Sequence, residues 1–223
     1  MAEKDTEPRK LKDVYKEFMK GSGICMNPSI DNDELNENPI DTYNRASDDG
    51  DADALCALGD KLFHGFGEMS DRKLAFKCFE RAYELGSLKG QTRFGYMVLY
   101  GIANDVPRTQ GITVLEDAAM KGSGIAYNLL GHEYYRGEIV PRSYDKMFEC
   151  YQKAAEHGID AAYRNLAFCY ENGYGTERSY EKALELYIRC HELGMPVQKD
   201  IDRLRRLVNS SEHEQISTSL NDF

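Results

Sequence analysis

The sequence predicts an all-α protein: a right-handed α/α superhelix, or solenoid, of about five helix-turn-helix repeats of 36 residues. Three observations carry this. First, small residues recur on one period. Gly86, Gly122, Gly158 and Gly194 stand 36 apart, as do Gly65, Gly101, Gly137 and Gly173, and also Gly59, Gly95, Gly131 and Ala167. A fixed period in the range of about 20–50 residues marks an array in which each unit buries its apolar face only against its neighbours. Second, the later half of each unit has one apolar stripe at i, i+3, i+4, i+7: Ala75, Cys78, Phe79 and Ala82, then Met147, Cys150, Tyr151 and Ala154, then Ala183, Leu186, Tyr187 and Cys190. Third, the ends are punctuated. Ser143 and Ser179 stand where an N-cap is wanted, and each unit closes on a glycine suited to the left-handed residue after a helix.

Each element follows from this frame. In the first helix of a unit, small residues recur at Ala54, Gly90, Ala126 and Ala162, and again five residues on. Large apolar residues (Leu58, Phe94, Leu130, Leu166) precede the second small position. Small beside large lets two helix backbones approach while a neighbouring side chain fills the gap. The clear repeats are residues 51–86, 87–122, 123–158 and 159–194. The second departs from the pattern, with Gly111 where the helix wants Ala and Ala103 for a turn glycine.

Residues 1–50 hold an amphipathic helix at 11–19 (LKDVYKEFM), an acidic loop at 21–38 and, at 39–50, the second helix of a degenerate first repeat. The 11–19 helix would be its displaced partner. The loop lacks the glycine and closing glutamate of a calcium-binding loop at the required spacing. After Gly194 the register fails. Residues 195–209 read as a capping helix with a stripe of Val197, Ile201, Leu204 and Val208 and a solvated face of Arg203, Arg205 and Arg206. The polar, serine-rich 210–223 reads as a disordered tail.

The pattern A-x3-LG-x2-Y-x2-G-x-G followed by KA-x3-Y-x-KAA-x-G resembles the Sel-one-like repeat (SLR), a relative of the tetratricopeptide repeat. It is carried by AYNLLGHEYYRG at 126–137, YQKAAEHG at 151–158, AYRNLAFCYENGYG at 162–175 and EKALELY at 181–187. The resemblance covers residues 51–194, about two thirds of the chain. Tetratricopeptide repeats run at about 34 residues, so the longer unit is expected to place its extra residues in the glycine turn. What the resemblance implies is an adaptor or scaffold; such proteins act in membrane-protein quality control, signalling complexes, cell-wall synthesis regulation and host–pathogen contact.

Composition narrows the function. A net charge of −10 argues against a general nucleic-acid binder and against polybasic attachment to lipid. The longest apolar run, FGYMVLYG at 94–101, is too short to insert into a membrane. The start, MAEKDTEPRK, has no apolar stretch behind it and does not read as a secretory signal, so the expected location is cytoplasmic. Six cysteines (Cys25, Cys56, Cys78, Cys150, Cys169, Cys190) fall at inconsistent repeat registers and read as buried thiols in a reducing compartment. Without CxxC there is no support for zinc, and no cofactor or metal is expected. Asn209-Ser-Ser is a glycosylation triplet only if the chain is secreted.

Neither HExxH, a P-loop, a dinucleotide fingerprint nor GxSxG is present, and no catalytic residue is nominated. GFG at 65–67 and GYG at 173–175 are turn glycines. The five histidines are scattered, and His157 and His191 sit in last turns that favour the helix dipole.

What remains is surface. First helices line the concave side of such an array. Positions that vary there between repeats are the candidate partner-binding residues: Asp60, Tyr96, His132 and Phe168 in one register, Phe63, Leu99 and Tyr135 in a second, Asn128 and Arg164 in a third. Tyr96, Tyr135 and Phe168 are the expected aromatic anchors, with burial between repeats the competing role, above all for Tyr135 and Leu99. The function expected is a non-enzymatic scaffold that binds a protein or peptide in its concave groove. The alternatives are a hydrolase like the cysteine-rich relatives proposed to act on β-lactams, which the lack of S-x-x-K speaks against, and a structural subunit of an organellar assembly. Oligomeric state is left open.

Overall fold

The computed structural model describes residues 38–64, 71–102 and 106–221, as backbone alone beyond residue 210. These residues form ten helices: α1 (Pro39–Asp48), α2 (Ala52–His64), α3 (Arg72–Glu84), α4 (Leu88–Leu99), α5 (Arg108–Met120), α6 (Gly124–Arg136), α7 (Tyr144–Glu156), α8 (Asp160–Asn172), α9 (Tyr180–Glu192) and α10 (Gln198–Asn221). Among the described residues there is no strand. Each helix packs on the next in the chain, and α2–α4 and α4–α6 also touch, so first helices of successive repeats form one layer. The core is accordingly a row of linked clusters, the largest running from α2 through α6. This is an α-solenoid.

The helices start where a side-chain oxygen can take an unpaired N–H. Asn38 accepts from Ile40 N at 3.0 Å, and Asp71 from Lys73 N and Leu74 N at 2.9 and 3.0 Å. Ser87, Ser123, Ser143 and Ser179 accept from the N–H three residues on, at 3.1, 3.2, 3.3 and 3.2 Å. α5 follows Pro107, which offers no side-chain acceptor for such a bond. We expect Ser179→Ala to lower stability by about 1 kcal/mol, read as a fall in thermal midpoint.

The second helices end on a shared turn. Gly86, Gly122, Gly158 and Gly194 all hold positive φ, between 77° and 96°. The N–H after each reaches back five residues: Ser87 to Ala82 O, Ser123 to Ala118 O, Ile159 to Ala154 O and Met195 to Cys190 O, at 2.9–3.0 Å. That is the glycine-closed helix stop. Gly50 repeats it after α1 at φ 70°, so the helix expected at 39–50 is a second helix in form.

The small-residue register has a partner on the same period. Phe79, Leu115 and Tyr151 are buried side chains that abut Gly59, Gly95 and Gly131. A Cβ at those glycines would come within 2.7, 2.9 and 2.5 Å of them. Gly111, a departure from the pattern in sequence, is explained by an equally close approach to backbone. A Cβ there would lie 2.6 Å from the Leu99 backbone nitrogen, so α4 and α5 meet backbone to backbone.

Two expectations need correction. α10 does not stop at residue 209 with a disordered tail after it; it runs to Asn221, because neither Gly nor Pro interrupts the stretch. Its Val197, Ile201 and Leu204 stripe is buried, in a cluster with Ala183, Tyr187 and Cys190 of α9. Arg203, half-exposed, is an ion-paired residue as well as a solvated one. It pairs with Glu171 of α8 and, at 3.1 Å, with Asp200, tying the last helix to the array. The readings at 11–19 and 21–37 and the GFG turn at 65–67 lie outside the described residues.

Candidate functional site

A cleft of about 400 Å³ opens on the layer of first helices, between α4 and α6. Leu88, Lys89, Thr92, Arg93 and Tyr96 of α4 form one side, and Ser123, Gly124, Ile125 and Leu129 the other, with Ile159 at the far end. The walls are mostly apolar. The hydroxyls are already used: Thr92 Oγ1 is 2.9 Å from Ser123 Oγ and donates to Leu88 O at 2.8 Å. Gly124 keeps the wall thin, since a Cβ there would lie 2.6 Å from His157 Cβ. Along one edge, Asp60 of α2 meets two cations: Lys89 Nζ at 3.2 Å from Oδ2, and Arg93 Nε at 3.1 Å from Oδ1.

Of the nine candidates, Tyr96 alone lines this cleft, and Asp60 stands at its edge. Tyr96 is buried and packs edge-on against the half-buried Phe63, ring centroids 6.1 Å apart. Leu99 and Asn128 are fully buried and have no surface to offer a partner. Leu99 belongs to the main core, and Asn128 Oδ1 accepts from Asn165 Nδ2 at 2.8 Å, joining α6 to α8. His132 is half-buried against Tyr151. Burial, with Arg164 and Arg136 nearby, pushes its imidazole down to about 4, so it is neutral at pH 7.

Tyr135 and Phe168 lie elsewhere, in a cluster with Tyr144 and Tyr174. The Tyr135 ring is 5.7 Å from Phe168, and Tyr144 stacks on Tyr174 at 4.3 Å. Tyr135 remains 38% exposed there. Arg164 is exposed on α8 and makes no ion pair or hydrogen bond among the described residues.

Sequence reasoning misses Lys89, Arg93, Ile125 and Leu129. Each also varies between repeats, at the registers 89/125 and 93/129, so the signal is present. In the next register, Cys56 and Asn128 are buried in the seam between repeats, while Thr92 lines the cleft and Arg164 is exposed.

The thiols do not suit nucleophilic chemistry. The five described cysteines are unpaired, and burial pushes Cys78 and Cys169 up to about 12 and Cys150 and Cys190 to about 11. A thiol that high is protonated and inert at neutral pH. Among the described residues no three His, Cys, Asp or Glu side chains gather to hold a metal, and no helix is long and apolar enough to cross a membrane.

Comparison with known proteins agrees with the geometry. The Sel1 repeat model matches residues 52–87, 124–159 and 160–189. Over 64 residues the chain is 41% identical to a Sel1-like repeat-containing protein of Schizosaccharomyces pombe, covering 28% of this chain and 10% of that one. Over 115 residues it is 28% identical to protein sel-1 homolog 2 of Rattus norvegicus, covering 52% and 17%. The chain thus spans a small fraction of the length of these curated relatives. Among solved structures, a protective antigen of uropathogenic Escherichia coli with an SLR fold aligns at TM-score 0.61 and 28% identity, over 72% of this chain and 34% of that one. A Sel1 repeat protein from Oxalobacter formigenes aligns at TM-score 0.57 and 21% identity, over 70% and 67%, a likeness of fold. The 36-residue period, the glycine-closed hairpins stacked in one layer and these matches agree: residues 52–87, 124–159 and 160–189 are Sel1-like repeats.

Proposed function

We propose that this chain is a non-enzymatic interaction scaffold, an adaptor that holds a segment of another protein in the α4–α6 cleft. The observation that carries the reading is the cleft itself: apolar walls with a charged edge, on the face where the first helices of successive repeats line up. An apolar trough with a few placed polar groups is the usual form of a recognition site. The five unpaired, mostly buried thiols favour a reducing compartment, and within this proposal the chain works in the cytoplasm.

The test is affinity capture with three full-length baits: wild type, Ile125→Glu in the cleft wall, and Met120→Glu, at a methionine 76% exposed on α5. Each bait is first checked for helical content. We expect a partner held by wild type and Met120→Glu and lost, by tenfold or more, with Ile125→Glu. A partner retained by Ile125→Glu moves the site off the cleft, and no partner with any bait overturns the scaffold reading.

A further inference from the structure

The later repeats specify a partner for Tyr43 of α1. We propose that residues 11–27 form the first helix of the first repeat and dock on α1 and α2, with Gly23 seated against Tyr43. The inference does not depend on the cleft being the binding site.

In each later repeat a buried side chain of the second helix pairs with a small residue of the first, 20 positions earlier. Phe79 abuts Gly59, Leu115 abuts Gly95 and Tyr151 abuts Gly131. Tyr187 and Ala167 share a cluster at the same separation. None of the four large side chains is more than 5% exposed. Tyr43 stands 36 residues before Phe79, on a helix closed by the same kind of glycine turn. It is only half-buried, at the edge of the cluster that holds Ala46 and Leu55. The first helix that belongs with α1 comes from earlier in the chain, and 20 positions before Tyr43 stands Gly23.

The surrounding residues agree. Leu11, Tyr15, Met19, Gly23 and Met26 recur three or four apart, one stripe on a helix. Met19 and Met26 occupy the registers of Leu55 and Leu62, both core residues. Asn27 and Pro28 occupy the registers at which α4 and α2 end, and a proline turns the residue before it away from helical backbone. The amphipathic stretch at 11–19 is then the front of this helix, and no displacement by the loop is needed.

Contacts between neighbouring first helices fit the same placement. Cys56 meets Ser87 and Thr92 meets Ser123, each 31 residues on. The same step sets Lys20 beside Asp51, its opposite charge. Asp60 meets Arg93 and Phe63 meets Tyr96, each 33 residues on. That step sets Ile24 on the exposed Ala57 and Asn27 beside Asp60. The docked helix thus adds a member to the layer of first helices, next to the edge of the cleft. With Gly21 and Gly23 inside it, the helix is weak in isolation, so its order has to come from the docked face.

The experiment is amide hydrogen exchange, read by mass spectrometry, on the full chain and on Gly23→Leu, Gly21→Leu and Tyr43→Ala. Gly21 stands at the register of the exposed Ala57, about 200° around the helix from Gly23, and serves as the control. We expect amides of residues 11–27 in wild type to exchange about tenfold or more slowly than in an unstructured chain. Gly23→Leu and Tyr43→Ala should each remove most of that protection and speed exchange in α1. Gly21→Leu should leave it unchanged or raise it. Unprotected amides at 11–27 in wild type would overturn the docking. So would equal effects of Gly21→Leu and Gly23→Leu, or protection that survives Tyr43→Ala.

Discussion

Gly175→Ala is expected to lower stability by about 3 kcal/mol, more than the same change at any of the glycines that close the second helices. Two costs add. Gly175 holds φ +66°, where a side chain costs roughly 1–2 kcal/mol. A Cβ there would also land on the carbonyl oxygen of Tyr144 and within 2.8 Å of Phe148 Cβ. Both atoms belong to the start of α7, so the turn would have to lift off the preceding repeat, at about 1–3 kcal/mol by analogy with overpacking. Gly158 and Gly194 supply the control. They have φ of +77° and +80°, but a Cβ on either would meet no described atom within 4 Å, so alanine there incurs only the first cost. For a chain of this size about 3 kcal/mol is a fall of roughly 6–12 °C in thermal midpoint. If Gly175→Ala fell no further than Gly194→Ala, the turn would not be packed against α7. The expectation also explains the two-glycine turn. Gly173 ends α8 at φ +70°, and Gly175 lets Tyr174 stack on Tyr144, so the turn of one repeat fastens it to the one before.

How much of this is legible in the sequence follows from what each feature depends on. The period, the glycine stops and the Ser143 and Ser179 caps depend on a few consecutive residues and can be read directly. Gly111 cannot. Alanine is better than glycine in a helix by about 1 kcal/mol, and only the approach of the Leu99 backbone reverses the preference. The cleft is missed by one position. Along a helix one residue is about 100° of rotation, which separates Asn128, turned into the seam, from Leu129, which lines the cleft. Comparing repeats shows which positions vary, and both of these do. It does not show which way each one faces, because that is set by the packing of three helices at once. The fate of α10 is likewise hidden: Arg203 looks solvated until Glu171 of another repeat is brought beside it.

Glu133 gives the second large expectation, a gain. It occupies the register of Met97 and Cys169, both core residues, and is itself fully buried. Its Oε1 is 3.4 Å from Arg136 Nη1, while Oε2 has no hydrogen-bond partner among the described residues. Burial raises the carboxyl above its ordinary value of 4.5, and Arg136 and Arg108 offset only part of that. The sign follows from linkage. The folded state holds this proton more tightly than the unfolded chain, so the group favours folding below pH 4.5. That contribution is lost as pH rises through the elevated native pKa. At pH 7 the carboxylate is therefore a net burden. Glu133→Met places the residue of the second repeat in the third and leaves Arg136 with Glu138, 2.6 Å away. Replacing a buried, poorly paired charge with a well-packed apolar side chain is often worth about 1–4 kcal/mol, and we expect about 2 kcal/mol at pH 7.5. The gain should shrink toward pH 4, where the wild-type carboxyl is protonated. Glu133→Gln, which keeps the shape and removes the charge, should recover the pH-dependent part alone. Thermal midpoints of the three chains at pH 4 and 7.5 decide it. A loss of stability in Glu133→Met at both pH values would mean that the pairing with Arg136 outweighs the burial, and that this part of α6 depends on a charge where the second and fourth repeats use a thioether and a thiol.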